Sequence, residues 1–590
     1  MVKIRLGYKK LTASVLLIFG GGLLAWLVQT GTGRTDIRDI RFEADSGATL
    51  SALLYVPDNA SDMTPAPGVL AVHGYINSRE TQSAYAIELA RRGYVVLALD
   101  QRGHGYSDPP AFAEGFGGPA ALQYLRSLEF VDTEQIVLTG HSMGGWTVLA
   151  AAAAAPDAYQ SVVVSGSSTG TFGVPEGTQE FPRNFGLVYG EYDEFSASMW
   201  LSQTGAGIVD TDKLKSVFGT AETVAANQLY GSIADGTGRM LYQPAQTHPA
   251  NHITQSGVEG VLDWVQRTTT APVPLASEAQ VWPWKELGTF LSLVGSFLFL
   301  FAFGQLLLDQ PLFLNIRRSP ASAAGIGGRS WWLAAAIAAA LPALTYFPLQ
   351  GLAARLGTSA LLSQNLTNGF MVWALGNALI SVVLLSLWYF ALGGKTRMAS
   401  GGGSHSFGLR WEDDSGKRFG LAALLAVTVV LGLYIVLAIN HLLFTADFRF
   451  WVVAVKLMSS LQFRIFLGYV VPFTVFFMIA GVVLHGQLRH RGSVSLPRAM
   501  LTNAVVMGLG IALLLLYQYV PLLMGGTLAI PAQSLLTIVA LQFAVLLPLA
   551  GLISTWYFHR TGTVYAGGLI NGLFITWVIV AGQATHFSFG

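Results

Sequence analysis

The sequence predicts an α/β domain over residues 35–270 and an all-α, multi-pass transmembrane domain over residues 286–590. Two observations predict the first domain: its apolar runs are short and β-like, and segments with helical periodicity separate them. Val-, Leu- and Ile-rich runs in this order are typical of a mostly parallel sheet that helices cover on both faces. One observation predicts the second domain, because after Trp284 the chain becomes a series of long apolar runs.

Composition and charge separate the same two parts. Of the 590 residues, 52% are hydrophobic and only 11% are charged, which is too apolar for a soluble protein of this size. Residues 35–270 contain 12 Lys and Arg against 26 Asp and Glu, a net charge of −14, and the rest of the chain carries +15. The acidic domain would repel phosphate, so we expect no nucleic-acid partner. The chain has no cysteine, which excludes disulfides and thiol nucleophiles.

The first 34 residues are predicted to form a basic cytoplasmic tail and an uncleaved signal anchor. Lys3, Arg5, Lys9 and Lys10 precede an apolar run that extends from Leu11 to Val28, and no clear cleavage site follows. The run is close to the length of about 20 residues that spans a bilayer. Beyond a linker over 271–285, eight further spans are predicted, near 287–308, 331–351, 369–392, 419–441, 465–485, 499–522, 533–556 and 563–583.

The charges of the connecting loops predict an orientation. With a cytoplasmic amino terminus, the predicted inside loops contain many basic residues: Arg317, Arg318, Arg329, Lys395, Arg397, Arg410, Lys417, Arg418, Arg489, Arg491, Arg498 and Arg560. The outside loops contain few: Arg355, Arg449, Lys456 and Arg464. Because cytoplasmic loops are enriched in Lys and Arg, we expect a multi-pass protein of the cell membrane, with the lipid bilayer as a partner and the acidic domain outside the cytoplasm. The mixed apolar and basic stretch from Phe448 to Phe463 predicts an interfacial helix.

The α/β domain is predicted to contain seven strands and several covering helices. The helical patterns are at 81–92, 119–128, 146–155 and 258–265, and the strands are at 49–56, 68–72, 94–99, 135–139, 161–164, 186–189 and 240–243. In such a sheet, functional residues collect at the carboxyl ends of the strands. The residue types that carry chemistry in this sequence stand at those ends.

Gly140-His-Ser-Met-Gly144 carries the candidate nucleophile, Ser142. It follows a β-like run and precedes an alanine-rich helical segment, and a G-x-S-x-G at such a junction exposes its serine on a strained turn. The pentapeptide at 166–170 also fits the pattern, but Gly173, Pro175 and Gly177 follow it and no helix can begin there. Ser168 is therefore interpreted as a chance match.

The other candidate residues follow neighbouring strands. The backbone amides of Tyr75, after His73-Gly74, and of Met143, after the nucleophile, are predicted to form an oxyanion hole. In the Asp100–Gly105 loop, Asp100 and Arg102 are expected to pair and to fix the loop. His104 is interpreted as a structural residue rather than the base, because it precedes the nucleophile in the chain.

Asp193 and His248 are the candidate acid and base. Asp193 follows a strand in Gly190-Glu-Tyr-Asp193, while Glu191 and Glu194 are interpreted as solvated neighbours. His248 stands at a strand–loop junction before a helix and is preferred to His252, which remains the alternative base. The spacing of these two histidines lacks a third metal ligand, so neither a metal nor another cofactor is predicted.

Residues 45–267 resemble the α/β-hydrolase superfamily, particularly its dienelactone-hydrolase-like and serine-peptidase-like branches. The resemblance rests on His73-Gly74, Asp100 to Gly105, Gly140 to Gly144, Gly190 to Asp193, and His248, which recur in this order at strand ends. It implies an α/β-hydrolase fold and a Ser-His-Asp mechanism that uses Ser142, His248 and Asp193, but it implies no substrate. It covers none of the transmembrane part.

The resulting functional hypothesis is a membrane-anchored serine hydrolase that cleaves an ester or amide bond of a small-molecule, lipid or peptide substrate. An insertion at 195–238, between the acid and the last strand, is interpreted as a lid, with a peripheral packed subdomain as the alternative. In the alternative functional hypothesis, the membrane bundle is a transporter or sensor and the hydrolase fold is only a recognition module. The absence of ionisable residues from the middle of the predicted spans argues against a coupled transporter.

Overall fold

The computed structural model describes residues 2–323, 325–396, 405, 407–409, 414–490, 492 and 494–589. Of the loop arginines named above, Arg397, Arg410 and Arg491 lie outside the described residues. The chain divides into two compact units. One contains residues 1–22, 289–516 and 535–581, and the other contains residues 23–288, 517–534 and 582–590. The second unit holds the α/β domain together with two short segments from much later in the chain.

The α/β domain is built on an eight-stranded sheet in the order β1-β2-β4-β3-β5-β6-β7-β8. The first three strands in this order pair antiparallel, and all later pairs are parallel. The strands are β1 Thr35–Glu43, β2 Thr49–Pro57, β3 Ala66–Val72, β4 Val95–Asp100, β5 Val131–His141, β6 Ser161–Ser165, β7 Phe185–Val188 and β8 Arg239–Tyr242. Seven of them overlap predicted strands. β1 had not been predicted, because it is rich in charged residues and mostly exposed.

Helices cover both faces of this sheet. Along β3, Leu70 and Val72 contribute to one apolar core, whereas Val69 and Ala71 contribute to another, as the alternation of a strand requires. Helices α3 (Gly118–Arg126) and α4 (Met143–Ala154) pack in the first core, and α2 (Ser83–Arg91) and α7 (Gln255–Thr268) pack in the second. The mostly parallel, doubly covered sheet that the sequence predicted is confirmed.

The insertion at 195–238 contains two short helices, α5 (Ser196–Met199) and α6 (Asp212–Phe218). Its apolar side chains pack largely against the core of the sheet, and Trp200 is fully buried there. The Trp200 indole donates a hydrogen bond to the carbonyl of Ser167, 2.9 Å away. The neighbouring Leu201 points to solvent. The insertion is thus anchored to the core of the sheet through Trp200.

Nine helices of the described residues are long and apolar enough to cross a membrane. This number is consistent with a multi-pass membrane protein, and every predicted span overlaps one of them. Eight are α1 Val2–Gln29, α8 Trp282–Leu308, α9 Arg329–Ala353, α10 Asn365–Ala391, α11 Ser415–Phe444, α13 Leu496–Leu523, α14 Ser534–Thr561 and α15 Tyr565–Gly582. The ninth is α12, which covers Ser460–Val482 and continues as a π-helical turn to Gln487.

The prediction of an interfacial helix between Phe448 and Phe463 is wrong. Residues 448–455 instead form an antiparallel hairpin of β9 (Phe448–Phe450) and β10 (Val453–Val455). Aromatic and β-branched residues prefer the extended backbone, and Trp451 adopts a φ of 51° in the turn. Helix α12 begins only at Ser460, where Ser459 and Gln462 form a capping box.

Candidate active site

Ser142 stands on the sharp turn between β5 and α4. Its φ of 54° and ψ of −121° lie outside the regions that a non-glycine residue ordinarily adopts. Its amide donates a 2.9 Å hydrogen bond to the carbonyl of Ser165, at the end of β6. The strained serine is therefore held at the carboxyl edge of the sheet, and its side chain is half-buried.

The glycines around Ser142 make this turn possible. A Cβ on Gly140 would collide with the backbone of Gly144, and a Cβ on Gly144 would collide with the carbonyl of Val72 in β3. A Cβ on Gly74 would lie 3.1 Å from the Cβ of Ser142. The G-x-S-x-G pattern thus follows from the close approach of α4 to β3, and the segment after β3 lies directly against the serine.

Asp193 and His248 form a buried pair near the serine. The Nδ1 of His248 donates a 2.9 Å hydrogen bond to Oδ2 of Asp193, and neither side chain is more than 4% exposed. Asp193 also accepts hydrogen bonds from the Phe195 amide, at 2.9 Å, and from the Asn251 side chain, at 3.1 Å. Because Nδ1 of neutral His248 carries the hydrogen that it donates to Asp193, its Nε2 is free of a proton and can accept one.

The electrostatics of His248 suit a base. Burial disfavours its charged form, but the Asp193 carboxylate, and to a smaller degree Glu194, hold the pKa of His248 above its usual value of 6.5. The His248 ring lies 4.8 Å from the ring of His141, centroid to centroid, and the His248 carbonyl is 3.0 Å from Nε2 of His141. His141 is the residue before Ser142, so this contact fixes the histidine loop beside the turn.

His252 and His104 have different surroundings. His252 is buried against the ring of His141, at 4.0 Å, and within the described chain neither of its ring nitrogens has a hydrogen-bond partner. Burial and the neighbouring His248 lower the pKa of His252 to about 3. The Nδ1 of His104 donates a 3.0 Å hydrogen bond to the carbonyl of Arg102, and burial lowers the pKa of His104 to about 3. The geometry therefore brings His248, and not these two, to the carboxylate.

The two residues that supply the candidate oxyanion amides follow segments that meet at Ser142. Met143 is the first residue of α4, and the first amides of a helix have no partner within it. Tyr75 follows Gly74 in the segment that contacts Ser142. Two dipolar N–H groups in these positions can stabilise a negative oxygen that develops at a carbonyl attacked by Ser142.

Comparison with known proteins agrees with this architecture. Residues 67–195 match the family model described as alpha/beta hydrolase fold. The domain has the α/β-hydrolase fold. Two curated relatives are the monoacylglycerol lipase of Mycolicibacterium smegmatis, 34% identical over 18% of this chain and 39% of its own length, and human dipeptidyl peptidase 8, 31% identical over 21% and 16%. A solved hyperthermophilic esterase from Pyrobaculum calidifontis is 16% identical, with a TM-score of 0.30, over 46% of this chain and 94% of its own. The chain thus spans two fifths or less of the length of these two curated relatives.

Two interpretations of charged residues near the hydrolase site are corrected by the structure. Asp100 does not pair with Arg102: its carboxylate accepts hydrogen bonds from the amides of Arg79, at 2.8 Å, and Tyr106, at 3.1 Å. Arg102 instead reaches Glu114, at 3.1 Å. The Asp100 carboxylate is thus held by Arg79 and Tyr106, whereas the Arg102 guanidinium binds Glu114 and the carbonyl of Pro109.

Glu194 is not a solvated neighbour of Asp193. It is 8% exposed, and its Oε2 accepts a 2.6 Å hydrogen bond from the backbone amide of His248. Burial, together with repulsion from Asp193, raises the pKa of Glu194 to about 7, although His248 opposes this shift. Glu191, by contrast, is partly exposed. The sequence carried no signal for this difference, because the residues that cover Glu194 come from the segment at 517–534.

The carboxyl-terminal segment also contributes to the hydrolase domain. Thr585 exchanges backbone hydrogen bonds with Gly103 and Ala111, at 2.8 Å each. His586 Nε2 lies 3.0 Å from the Tyr75 hydroxyl, and burial lowers the pKa of His586 to about 4. Nothing in the sequence had pointed to this segment.

Five rings form a cluster that we define as the aromatic surface: Tyr75, Phe112, Trp146, Phe172 and His586. Tyr75 follows Gly74, which contacts Ser142, and Trp146 lies in the first turn of α4. Trp146 stacks on Phe172 with ring centroids 4.4 Å apart, and Phe112 lies 5.3 Å from His586 and 5.6 Å from Tyr75. Phe112 and Phe172 are 42% and 68% exposed.

Within the described residues, no group of three or more His, Cys, Asp and Glu side chains is arranged to hold a metal ion.

Proposed function

We propose that this protein is a membrane-anchored serine hydrolase that cleaves an ester or amide bond. One observation carries the proposal: a serine stands on a strained strand-to-helix turn, and the residue before it, His141, contacts His248 of a buried His248–Asp193 pair whose hydrogen bond is 2.9 Å long. The chain order Ser142, Asp193, His248 is the order of α/β-hydrolase triads.

In the proposed mechanism, His248 removes the proton of Ser142 as its Oγ attacks the substrate carbonyl. Asp193 holds His248 in the tautomer that accepts at Nε2 and stabilises the imidazolium. The amides of Tyr75 and Met143 bind the oxyanion of the tetrahedral intermediate. The imidazolium then protonates the leaving alcohol or amine, and an acyl-enzyme remains. His248 activates water, which attacks the acyl group and releases Ser142.

The aromatic surface supports a substrate with an apolar acyl or aromatic group. Phe112 and Phe172 are exposed, and burial of apolar substrate area against them would be worth about 25 cal/mol per Å². Within a series of p-nitrophenyl esters, Phe172→Ala should lower kcat/KM more for longer acyl chains. Equal losses for acetate and octanoate esters would count against this preference.

The loop charges support a hydrolase domain outside the cytoplasm. The basic residues of the predicted inside loops outnumber those of the outside loops, and this asymmetry orients multi-pass proteins. Protease added to intact cells should release fragments of the hydrolase domain, whereas fragments that appear only after lysis would reverse the orientation.

The decisive test is labelling of the full-length protein in detergent by a fluorophosphonate probe, which reacts with activated serines. Labelling is expected for the wild type and is expected to be lost in Ser142→Ala, while Ser168→Ala should be labelled normally. A folded wild type without labelling would refute the enzyme and favour the alternative, in which the domain only recognises ligands for a transporter or sensor.

A further inference from the structure

Glu194 is a buried carboxylate for which the triad mechanism has no use. It follows Asp193 directly, and donors reach both of its side-chain oxygens. The backbone amide of His248 donates to Oε2 at 2.6 Å, and the Tyr519 hydroxyl donates to Oε1 at 2.9 Å. Asp193 thus holds the imidazole ring of His248, and Glu194 holds its main chain.

The groups that hold Glu194 come from residues 517–534, which belong to the same compact unit as the hydrolase domain. Tyr519 lies near the end of α13, and Ser534 is the first residue of α14. The Ser534 hydroxyl donates a 2.7 Å hydrogen bond to the main-chain carbonyl of Glu194. Hydroxyls at both ends of this segment therefore fix one glutamate, one through its side chain and one through its backbone.

We propose that Glu194 is a positioning residue for His248, and that the segment at 517–534 completes the hydrolase site by holding this glutamate. The inference rests on the proposed serine-hydrolase function. It assigns a role to a part of the chain that follows the hydrolase domain by more than two hundred residues. In this role, the segment at 517–534 restrains His248 through Glu194 and need not contact the substrate.

The carboxylate form of Glu194 holds His248 more strongly than the acid form. An ionised carboxylate accepts charge-assisted hydrogen bonds at both oxygens, whereas a protonated one offers the His248 amide only a neutral, weaker acceptor. The titratable groups that face Glu194 are Asp193, His248, Tyr189 and Tyr519. Burial and the Asp193 charge raise the pKa of Glu194 to about 7, so its proton should be lost over the pH range in which His248 also titrates.

This arrangement predicts how the rate of Ser142 labelling falls as the pH is lowered. The measurement is the second-order rate constant for fluorophosphonate labelling of Ser142 in the full-length protein in detergent, which requires no knowledge of the substrate. Two protons, on His248 and Glu194, should each suppress the rate. A plot of the logarithm of the rate against pH should therefore approach a slope of two in the wild type.

Two variants should change the profile in opposite directions. Tyr519→Phe removes a donor to the charged carboxylate, so the acid limb should move to higher pH by about one unit. Glu194→Gln removes the second titrating group and a negative charge near His248, so the limb should have a slope of one and lie at lower pH. Tyr517→Phe is the matched control, because Tyr517 is 58% exposed and lies two residues away in the same helix. Its profile should coincide with that of the wild type.

The outcomes separate this inference from the proposed function. If Tyr519→Phe matches the wild type, or loses the same factor at every pH, Glu194 does not position His248 through this contact. Should Tyr519→Phe fail to fold, the slope for Glu194→Gln decides, and a slope of two would overturn the inference. Absence of Ser142 labelling in the folded wild type would instead refute the proposed function itself.

Discussion

The ionisation of Glu194 should cost folding free energy at alkaline pH, and Glu194→Gln should remove that cost. The folded-state pKa of about 7 lies above the reference value of 4.5, because burial and Asp193 disfavour the charged carboxylate. A carboxyl group with a raised folded pKa binds its proton more tightly in the folded state. Its contribution to stability is therefore fully present below pH 4.5 and is lost as the pH rises through 7.

The magnitude follows from the size of the shift. A shift from 4.5 to about 7 corresponds to about 3 kcal/mol, at 1.36 kcal/mol per unit of pKa. A domain of 150–250 residues changes its Tm by about 2–4 °C per kcal/mol, so the expected difference is about 6–12 °C. At a pH of about 4, Glu194→Gln and the wild type should melt together, and near pH 8.5 the variant should melt higher by this amount.

The assay is thermal unfolding of the full-length protein in detergent, followed by tryptophan fluorescence at both pH values. The hydrolase domain contains buried Trp200 and Trp264, which report on its core. Glu191→Gln is the matched control, since Glu191 is partly exposed and stands three residues earlier. A difference in Tm between Glu194→Gln and the wild type that is the same at both pH values would refute the reasoning, as would a variant that is less stable at alkaline pH.

Three further predictions concern the triad, the turn and the insertion. His248→Ala should lower the rate of fluorophosphonate labelling by a factor of at least about 10³, whereas His252→Ala should keep it within about tenfold, and the reverse result would make His252 the base. Gly144→Ala should lose both labelling and thermal stability, because its Cβ would collide with the carbonyl of Val72; a variant as stable and as reactive as the wild type would contradict this geometry. Trp200→Ala should destabilise the domain by about 3–5 kcal/mol through the cavity it leaves, whereas the exposed Leu201→Ala should stay within about 0.5 kcal/mol, as urea unfolding can measure.

The fold and the proposed triad were visible in the sequence for the same physical reason. Strands buried on both faces must be apolar throughout, so the point at which each run ends is marked by the first polar residue. This rule identified the loops that follow β5, β7 and β8, which contain Ser142, Asp193 and His248. It failed for β1, whose mostly exposed side chains leave no apolar run. It also failed at Phe448–Val455, where the mixture of apolar and basic residues obscured a short hairpin.

Glu194 shows why the rest of the site could not be predicted. It follows Glu191 and Asp193 in the sequence, and a glutamate after a strand is ordinarily solvated. Its burial depends on Tyr519 and Ser534, which are separated from it by 325 and 340 residues. Contacts of such range leave no periodicity or spacing in a single sequence. The same holds for His586, whose contact with Tyr75 spans 511 residues.

Burying two adjacent carboxylates costs folding free energy. Their arrangement around His248 can offset this cost by lowering the barrier to reaction. In the resting site, Asp193 and Glu194 repel each other, and this repulsion contributes to the raised pKa of Glu194. Proton transfer from Ser142 would place a positive charge on His248, between a carboxylate on its ring and a carboxylate on its main chain. Because both negative charges raise the pKa of His248, both stabilise the imidazolium more than the neutral ring. The repulsion is therefore relieved when the transition state forms, and interactions that strengthen at that point lower the barrier. Above neutral pH, Glu194→Gln should therefore react more slowly than the wild type and be more stable.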